Sequence, residues 1–420
     1  MSIAPTSTGI GAPGTAPAPA NLGRSPMASQ PGASGPSLIP FTRASSLATM
    51  QDYTGTIAAG VSQQIQLQTN AFLESLVVEF SMVATGNTAT VAFALEGPFS
   101  VISSIKLDDP AGQSIIAPIT GWQLYTLNKY LPDTDCYFDP VRDPGFSATA
   151  STGGTASNGG SFDFRLVIPI EHRRRDAFCT VNNSAANQRY LLTITTNSSY
   201  TNTTAGSSQL YTTAPTNAGV LTVTVFQQYW TSPPNAIVTS QGSVGTQQTP
   251  GGLGSVAFVR YERHNEVNGG GSPQVQLNNV GDYLSSIIFT LRSTSSGAPR
   301  DQADWPNPFF WWVNDFNVDA LNLSDWQRWM ARAYGLYGGV ATTPVGNPGS
   351  LDTGVFVMWK MNAIFDKIEN FAPANQYLPT DATTKLQVRG STFGASANFL
   401  EVLTRTVRPL SGAALFGAAG

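Results

Sequence analysis

The two halves of this chain repeat each other, and that repeat limits the possible architecture more than any other feature of the sequence. Gln64-Ile65-Gln66-Leu67 is echoed by Gln274-Val275-Gln276-Leu277. After a one-residue shift, Phe72-Leu73-Glu74-Ser75-Leu76-Val77-Val78 is echoed by Tyr283-Leu284-Ser285-Ser286-Ile287-Ile288-Phe289, and both stretches run into a small-residue turn, at Gly86 and Gly297. Further on, Trp122-Gln123-Leu124-Tyr125 with Tyr130 is echoed by Trp326-Gln327-Arg328-Trp329 with Tyr334. The pieces keep one order in both halves. A strand, strand, helix, strands sequence used twice implies two similar domains, each with one inserted helix.

The rest of the chain has the texture of an all-β protein. Short apolar runs rich in β-branched and aromatic residues, among them Leu76 to Val83, Phe162 to Ile170, Val220 to Phe226, Val355 to Met361 and Phe399 to Val407, are separated by Gly, Ser, Thr and Asn. Such spacing predicts β-sandwiches. Helical period occurs only around the two tryptophan motifs. Leu323-Ser324-Asp325 offers capping residues, after which Trp326, Trp329, Met330 and Ala333 recur as one predicted helical face that Gly335 stops. Thr120 is a candidate cap for the first copy, which carries Trp122, Tyr125 and Leu127.

Composition enters where organisation is needed. Residues 1–45 are interrupted by Pro13, Pro17, Pro19, Pro31, Pro36 and Pro40 among Ala, Ser and Gly, so they read as a flexible, disordered-looking arm with no core of its own. The polar, glycine-rich gap at Thr239 to Gly254 separates a first sandwich, residues 46–245, from a second, residues 246–420. Only 11% of residues are charged, and a surface of hydroxyls and amides is poorly guarded against self-association. The net charge of −4 gives no global attraction for phosphate backbones, so direct sequence-specific binding of nucleic acid is not expected. The N-terminus lacks a secretion signal, and no apolar run is long enough to cross a bilayer as a helix. Cys136 and Cys179 are too few for a disulfide framework and stand outside metal-ligand spacing, which fits synthesis in a reducing compartment.

Catalytic readings find no constellation. The two histidines, His172 and His264, sit at no ligand spacing and beside no nucleophile-elbow serine. Asp133, Asp135 and Asp139 read as turn and capping residues in preference to a calcium loop. No catalytic, cofactor or metal residues are therefore assigned. Two clusters are candidates for contact instead. Arg173, Arg174 and Arg175 form an interfacial or lipid-headgroup contact, or else a solvated loop. Trp305, Phe309, Phe310, Trp311 and Trp312 hold more aromatic surface than one loop normally buries, which favours an intersubunit contact over core packing or sugar stacking.

Several landmarks also resemble a known family in order and spacing. Gly97-Pro98, Asp108-Asp109-Pro110 and Gly121-Trp122-Gln123-Leu124 resemble the Gly-Pro, Asp-Pro and Gly-Trp-His-Leu run of the first barrel in the major capsid proteins of tectivirus-like, membrane-containing tailless phages. Leu166-Val167-Ile168-Pro169-Ile170, Thr224 to Tyr229, the stretch Asn279 to Ile287, and Asn398 to Leu403 resemble further strands of that family. The resemblance spans roughly residues 60–420. It implies two tandem jelly rolls, a homotrimer that forms a pseudo-hexameric capsomer, and a structural, non-enzymatic role in an icosahedral virion assembled in the host cytoplasm. Its implied partners are neighbouring capsomers, minor capsid, vertex and membrane proteins, and an internal lipid membrane. The family's helical arm has no match among these N-terminal prolines, and the Trp305 to Trp312 cluster has no counterpart. The alternative function class is a jelly-roll carbohydrate- or receptor-binding module, which needs one barrel where a tile needs two.

Overall fold

Strand period and turn chemistry produce sixteen principal strands, eight in each half. A computed structural model describes residues 38–85, 90–131, 139–152, 159–172, 177–240, 242–251, 253–265, 267, 273–341, 349–358, 378–394 and 397–408. The first half contributes β1 (Leu47–Ile57), β2 (Ser62–Gln66), β3 (Phe72–Met82), β4 (Ile102–Asp108), β5 (Ser114–Ile119), β6 (Phe162–Pro169), β7 (Leu191–Thr196) and β8 (Leu221–Trp230). The second contributes β9 (Val256–His264), β10 (Gln274–Leu277), β11 (Tyr283–Ser293), β12 (Phe309–Val313), β13 (Phe316–Leu321), β14 (Val355–Val357), β15 (Leu386–Arg389) and β16 (Asn398–Arg408). Helices α1 (Phe41–Ala44), α2 (Gly121–Tyr130) and α3 (Leu323–Tyr334) complete the frame.

Each half is a sandwich of two antiparallel sheets. The first half orders its strands β1-β8-β3-β6 and β2-β7-β4-β5, and the second orders them β9-β16-β11-β14 and β10-β15-β12-β13. Adding eight to every label of the first half gives the second. Two irregularities of the ladders recur at equivalent positions. In the first half the pairing of β3 with β8 skips Glu74 between Leu73 and Ser75, and in the second the pairing of β11 with β16 skips Ser285 between Leu284 and Ser286. Those are the same positions of the sequence repeat. Likewise β5 bulges at Ile115, between partners of Leu107 and Asp108, and β13 bulges at Val318, between partners of Trp311 and Trp312. A bulge re-aims the strand beyond it and is a built feature of a fold. Two shared bulges therefore establish the duplication that the short sequence echoes suggested.

Period-two alternation fills both cores. In β3, Leu76, Val78, Phe80 and Met82 face inward, and in β8 Leu221, Val223 and Val225 meet them. The helix after β5 starts at a capping box, in which the Thr120 hydroxyl accepts from Gln123 N–H at 3.1 Å and the Gln123 side chain accepts from Thr120 N–H at 2.9 Å. All ten residues of α2 are buried, because one face packs on its own barrel and the other on the second barrel.

The second helix follows β13 at the equivalent place. It buries only Trp326, Met330 and Tyr334 and ends at Gly335, whose φ of 63° suits a residue without Cβ. The expected stripe of Trp326, Trp329, Met330 and Ala333 is thus corrected, since Trp329 is 40% exposed. At about 100° per residue, positions i, i+4 and i+8 advance steadily to one side of Trp326 while i+3 falls back on the other.

The N-terminal boundary also moves. Residues 1–37 lie outside the described residues, but Phe41 is 1% exposed and packs edge-on against Phe72 and Trp230, with centroids 5.2 and 5.9 Å away. A coreless arm extending to residue 45 does not fit. The single turn of α1 that follows Pro40 places this ring over the end of the first barrel.

Candidate functional site

Several of the chain's buried charges converge between the two barrels. Helix α2 delivers Lys129, Tyr125 and Tyr130 from the first barrel to Asp352, which precedes β14 of the second. Lys129 Nζ lies 3.0 Å from both Asp352 carboxylate oxygens and donates to the Tyr125 hydroxyl at 3.0 Å. Tyr130 donates to Asp352 Oδ2 at 2.8 Å and accepts from the Asp352 backbone N–H at 2.9 Å, while Tyr125 donates to Oδ1 at 3.3 Å. Burial and the Asp352 charge push both tyrosine hydroxyls well above the ordinary phenol range, so they remain donors.

A second node joins Arg292 of β11 to Glu96, in the loop before Pro98 of the first barrel, and to Glu401 of β16. The guanidinium is fully buried, donates through Nη1 to Glu96, and reaches Glu401 through Nε at 2.5 Å. Burial works against its charge, yet the two carboxylates more than offset that cost and hold it protonated. Glu96 itself is pushed up to about 7, mainly by burial and further by the charge of Glu401, against the pull of Arg292. One cation facing two carboxyls favours a proton on one of them. Arg405 of β16 donates to the Glu171 carbonyl at 2.7 Å, and Arg142 donates to the Gly335 carbonyl at the end of α3 at 2.9 Å.

Strand edges join in the same region. β5 runs parallel to β9, with Ile116 opposite Val259, so one sheet of each barrel becomes a single continuous sheet. Buried charges of this kind contribute little net stability but penalise every other arrangement, because moving one partner leaves the other unpaired in a dry interior. What the seam can do chemically is hold two barrels at one fixed angle.

No protein-family profile matches the sequence, and no curated protein does either. In structure, the chain is similar to the crystal structure of the STIV MCP over 88% of its own length and 100% of that chain, at 13% identity and a TM-score of 0.55. The atomic structure of Sulfolobus turreted icosahedral virus aligns over 87% of this chain and 91% of its own, at 13% identity and a TM-score of 0.57. The PBCV-1 virus capsid aligns over 86% and 93%, at 10% identity and a TM-score of 0.53. The chain has the double-jelly-roll fold. At these identities the likeness is one of fold, and it is the fold that the internal repeat and the family resemblance led us to expect.

The double jelly roll distributes the sequence candidates unevenly. Trp122, Tyr125 and Trp326 are fully buried in the helices that follow β5 and β13, whereas Trp329 lies on the surface of α3. Trp326 stacks on Phe356 of β14 at 3.9 Å and donates to the Val357 carbonyl at 3.0 Å. Its counterpart Trp122 packs against Phe99 and Tyr125. The aromatic cluster divides. Trp305, Phe309 and Trp311 are core residues of the second barrel, with Trp305 and Phe309 meeting Phe356 and Phe393, so an intersubunit role for these three is corrected to packing. The cause is strand alternation, which turns Phe309 and Trp311 inward and Phe310 and Trp312 outward. Phe310 and Trp312 line a groove of about 330 Å³ with Arg389, Gly390 and Ser391, and the Arg389 guanidinium lies 4.0 Å from the Trp312 ring centre. Arg173, Arg174 and Arg175 lie outside the described residues, as does Cys136.

Among the described residues no group of three or more His, Cys, Asp or Glu side chains could hold a metal. Sequence reading missed Lys129, Asp352, Arg292, Glu96, Glu401 and Arg405 altogether. A signal was available, since Arg292 and Glu401 each stand alone in apolar strand sequence, Leu291-Arg292 and Leu400-Glu401-Val402. Isolated charges in the strands of a charge-poor chain mark buried pairs.

Proposed function

We propose that this protein is the major capsid protein of an icosahedral virus, a building block with no catalytic role. The observation that carries this reading is the duplication itself, two barrels matched in strand order, sharing two bulges and locked together by a buried polar seam. A rigid pair of similar barrels is what three copies need to form a tile of pseudo-sixfold outline. We further assign the virus to the tailless bacteriophages with an internal membrane, on the sequence landmarks given above. Residues 1–37 and the Arg173 to Arg175 run are then contacts to neighbouring subunits, minor proteins or lipid headgroups within the virion.

Expression of the full chain, followed by light scattering and electron microscopy, tests the reading. Assemblies with a mass of three chains, and tiles or shells built from them, are expected. A protein that stays monomeric at tens of micromolar and forms no regular assembly overturns it. The groove at Phe310 and Trp312 supports a second reading, sugar or receptor binding, for which millimolar glycan affinity that is lost in Trp312→Ala is the discriminating result.

A further inference from the structure

Within the chain the barrels meet at two unlike strand edges. β5 ends the sheet β2-β7-β4-β5, β9 begins the sheet β9-β16-β11-β14, and the two lie parallel. The duplication supplies the same two edges once more. β13 ends its sheet as β5 does, β1 begins its sheet as β9 does, and among the described residues neither β13 nor β1 pairs with a further strand.

The ladders fix which residues correspond. Ile115 and Val318 are the equivalent bulge residues, and Ile116 corresponds to Asp319. Through their partners on β8 and β16, Leu47 corresponds to Ala257 and Thr49 to Val259. Exposure then separates the used edges from the unused ones. Ile115 is 2% exposed and Val318 58%, while Ala257 is 1% exposed and Leu47 39%. Phe316, also on β13, is 75% exposed. Soluble proteins usually protect a bare edge with lysine, proline, inward charge or a very short strand. β1 runs eleven residues with no proline and no basic residue, and its one charge, Asp52, is half-buried. β13 carries a single aspartate and exposes Phe316, Val318 and Ala320.

We propose that β13 of one copy docks parallel to β1 of a second copy, repeating between chains the junction that β5 and β9 make within one. Asp319 then stands opposite Thr49 of the second copy, as Ile116 stands opposite Val259. The proposal rests on the self-association proposed above and names its contact. Because the two edges differ, the contact is head-to-tail, so it must close into a ring or run on as a filament. Alternating intrachain and interchain junctions of the same kind close on six barrels when three chains take part.

The experiment uses two surface variants of the full chain, Phe316→Lys/Val318→Lys on β13 and Leu47→Lys/Thr49→Lys on β1. Light scattering should show the wild type at the mass of three chains and each variant at one, a threefold loss. Mixed in equal amounts, the variants should form a dimer and stop, since each retains one intact edge of the opposite kind. A second arm needs no disruption of the surface. Ala320→Cys and Met50→Cys, one residue beyond the proposed pair, are combined in a Cys136→Ser background, and a short bis-maleimide should link chains in the assembled protein. Variants that keep the wild-type mass, or cross-linking no better than with either cysteine alone, overturn this contact while leaving the trimer standing. A monomeric wild type overturns both.

Discussion

Removing the Asp352 carboxylate isolates what the seam between the barrels does. In Asp352→Ala, Lys129 keeps its place, 2% exposed at its side chain, with the Tyr125 hydroxyl as hydrogen-bond partner and the buried Asp139 carboxylate as the remaining nearby charge, and Tyr130 loses the acceptor it holds at 2.8 Å. Breaking one side of a buried ion pair costs about 3–5 kcal/mol. The stranded tyrosine hydroxyls place the expected loss toward the upper end of that range, since an unmet buried polar group costs about 1–3 kcal/mol. The double variant Lys129→Met/Asp352→Leu replaces the pair with apolar groups of similar volume and should return to within about 1–2 kcal/mol of the wild type. Urea unfolding followed by tryptophan fluorescence, under conditions where all forms have the same mass in solution, measures both. Since the pair links the barrels, Asp352→Ala should also split one transition into two. A cost below about 1 kcal/mol, or a double variant no more stable than the single, refutes the argument that charge pairing holds the barrels in register.

Glu96 gives a pH signature. Its folded-state value is raised from 4.5 to about 7, so the folded protein keeps a proton that the unfolded chain releases, and stability falls as pH climbs through that window. The fall is about 3 kcal/mol at most, and Glu96→Gln should flatten it; an unchanged slope assigns the proton elsewhere. Trp326→Ala, which removes a ring stacked at 3.9 Å on Phe356, should cost about 3–5 kcal/mol. Trp329→Ala, on the exposed side of the same helix, should stay within about 0.5 kcal/mol, and equal effects would contradict the observed helix face. A chain beginning at Ser46 should lose about 2–3 kcal/mol relative to one beginning at Leu38, because only the longer chain retains the buried Phe41 ring. Thermal unfolding of the two truncations decides it.

What could be read from the sequence depended on how far apart the interacting residues lie in it. The two-barrel plan was legible because strands repeat their side-chain pattern locally, so Gln64 to Leu67 could be matched to Gln274 to Leu277 without knowing what either touches. Thr120 and Gly335 were legible as helix ends, since capping is a property of a few consecutive residues. The five-ring cluster reads as one surface by composition, although its own strand period separates Phe309 and Trp311 from Phe310 and Trp312. Composition places Phe41 in an arm because it averages over neighbours, and one ring suffices to anchor a turn. The polar seam was invisible for a different reason. Lys129 and Asp352 are 223 residues apart, and no spacing rule connects them.

The scarcity of charge and the location of the buried charges support one interpretation. With 11% charged residues the chain cannot guard every sheet edge, and several of its ionisable groups, Lys129, Arg292, Arg405, Glu96, Asp352 and Glu401, are sealed at or beside the junction of the barrels. There they fix one angle between two sandwiches, a task for which directional, mutually dependent pairs suit better than apolar packing. Apart from one aspartate on each strand, the edges left at the outside are lined instead by Leu47, Thr49, Gln51, Thr54 and Thr56 on one strand and Phe316 and Val318 on the other, groups that cost less to desolvate than charges do when another strand covers them. Charges placed on those edges would make a more soluble monomer, and hydroxyls at the seam would make a looser one. The observed distribution gives a stiff two-barrel unit with adhesive ends, and stiffness within the unit is what lets weak edge contacts between copies add up to a closed ring.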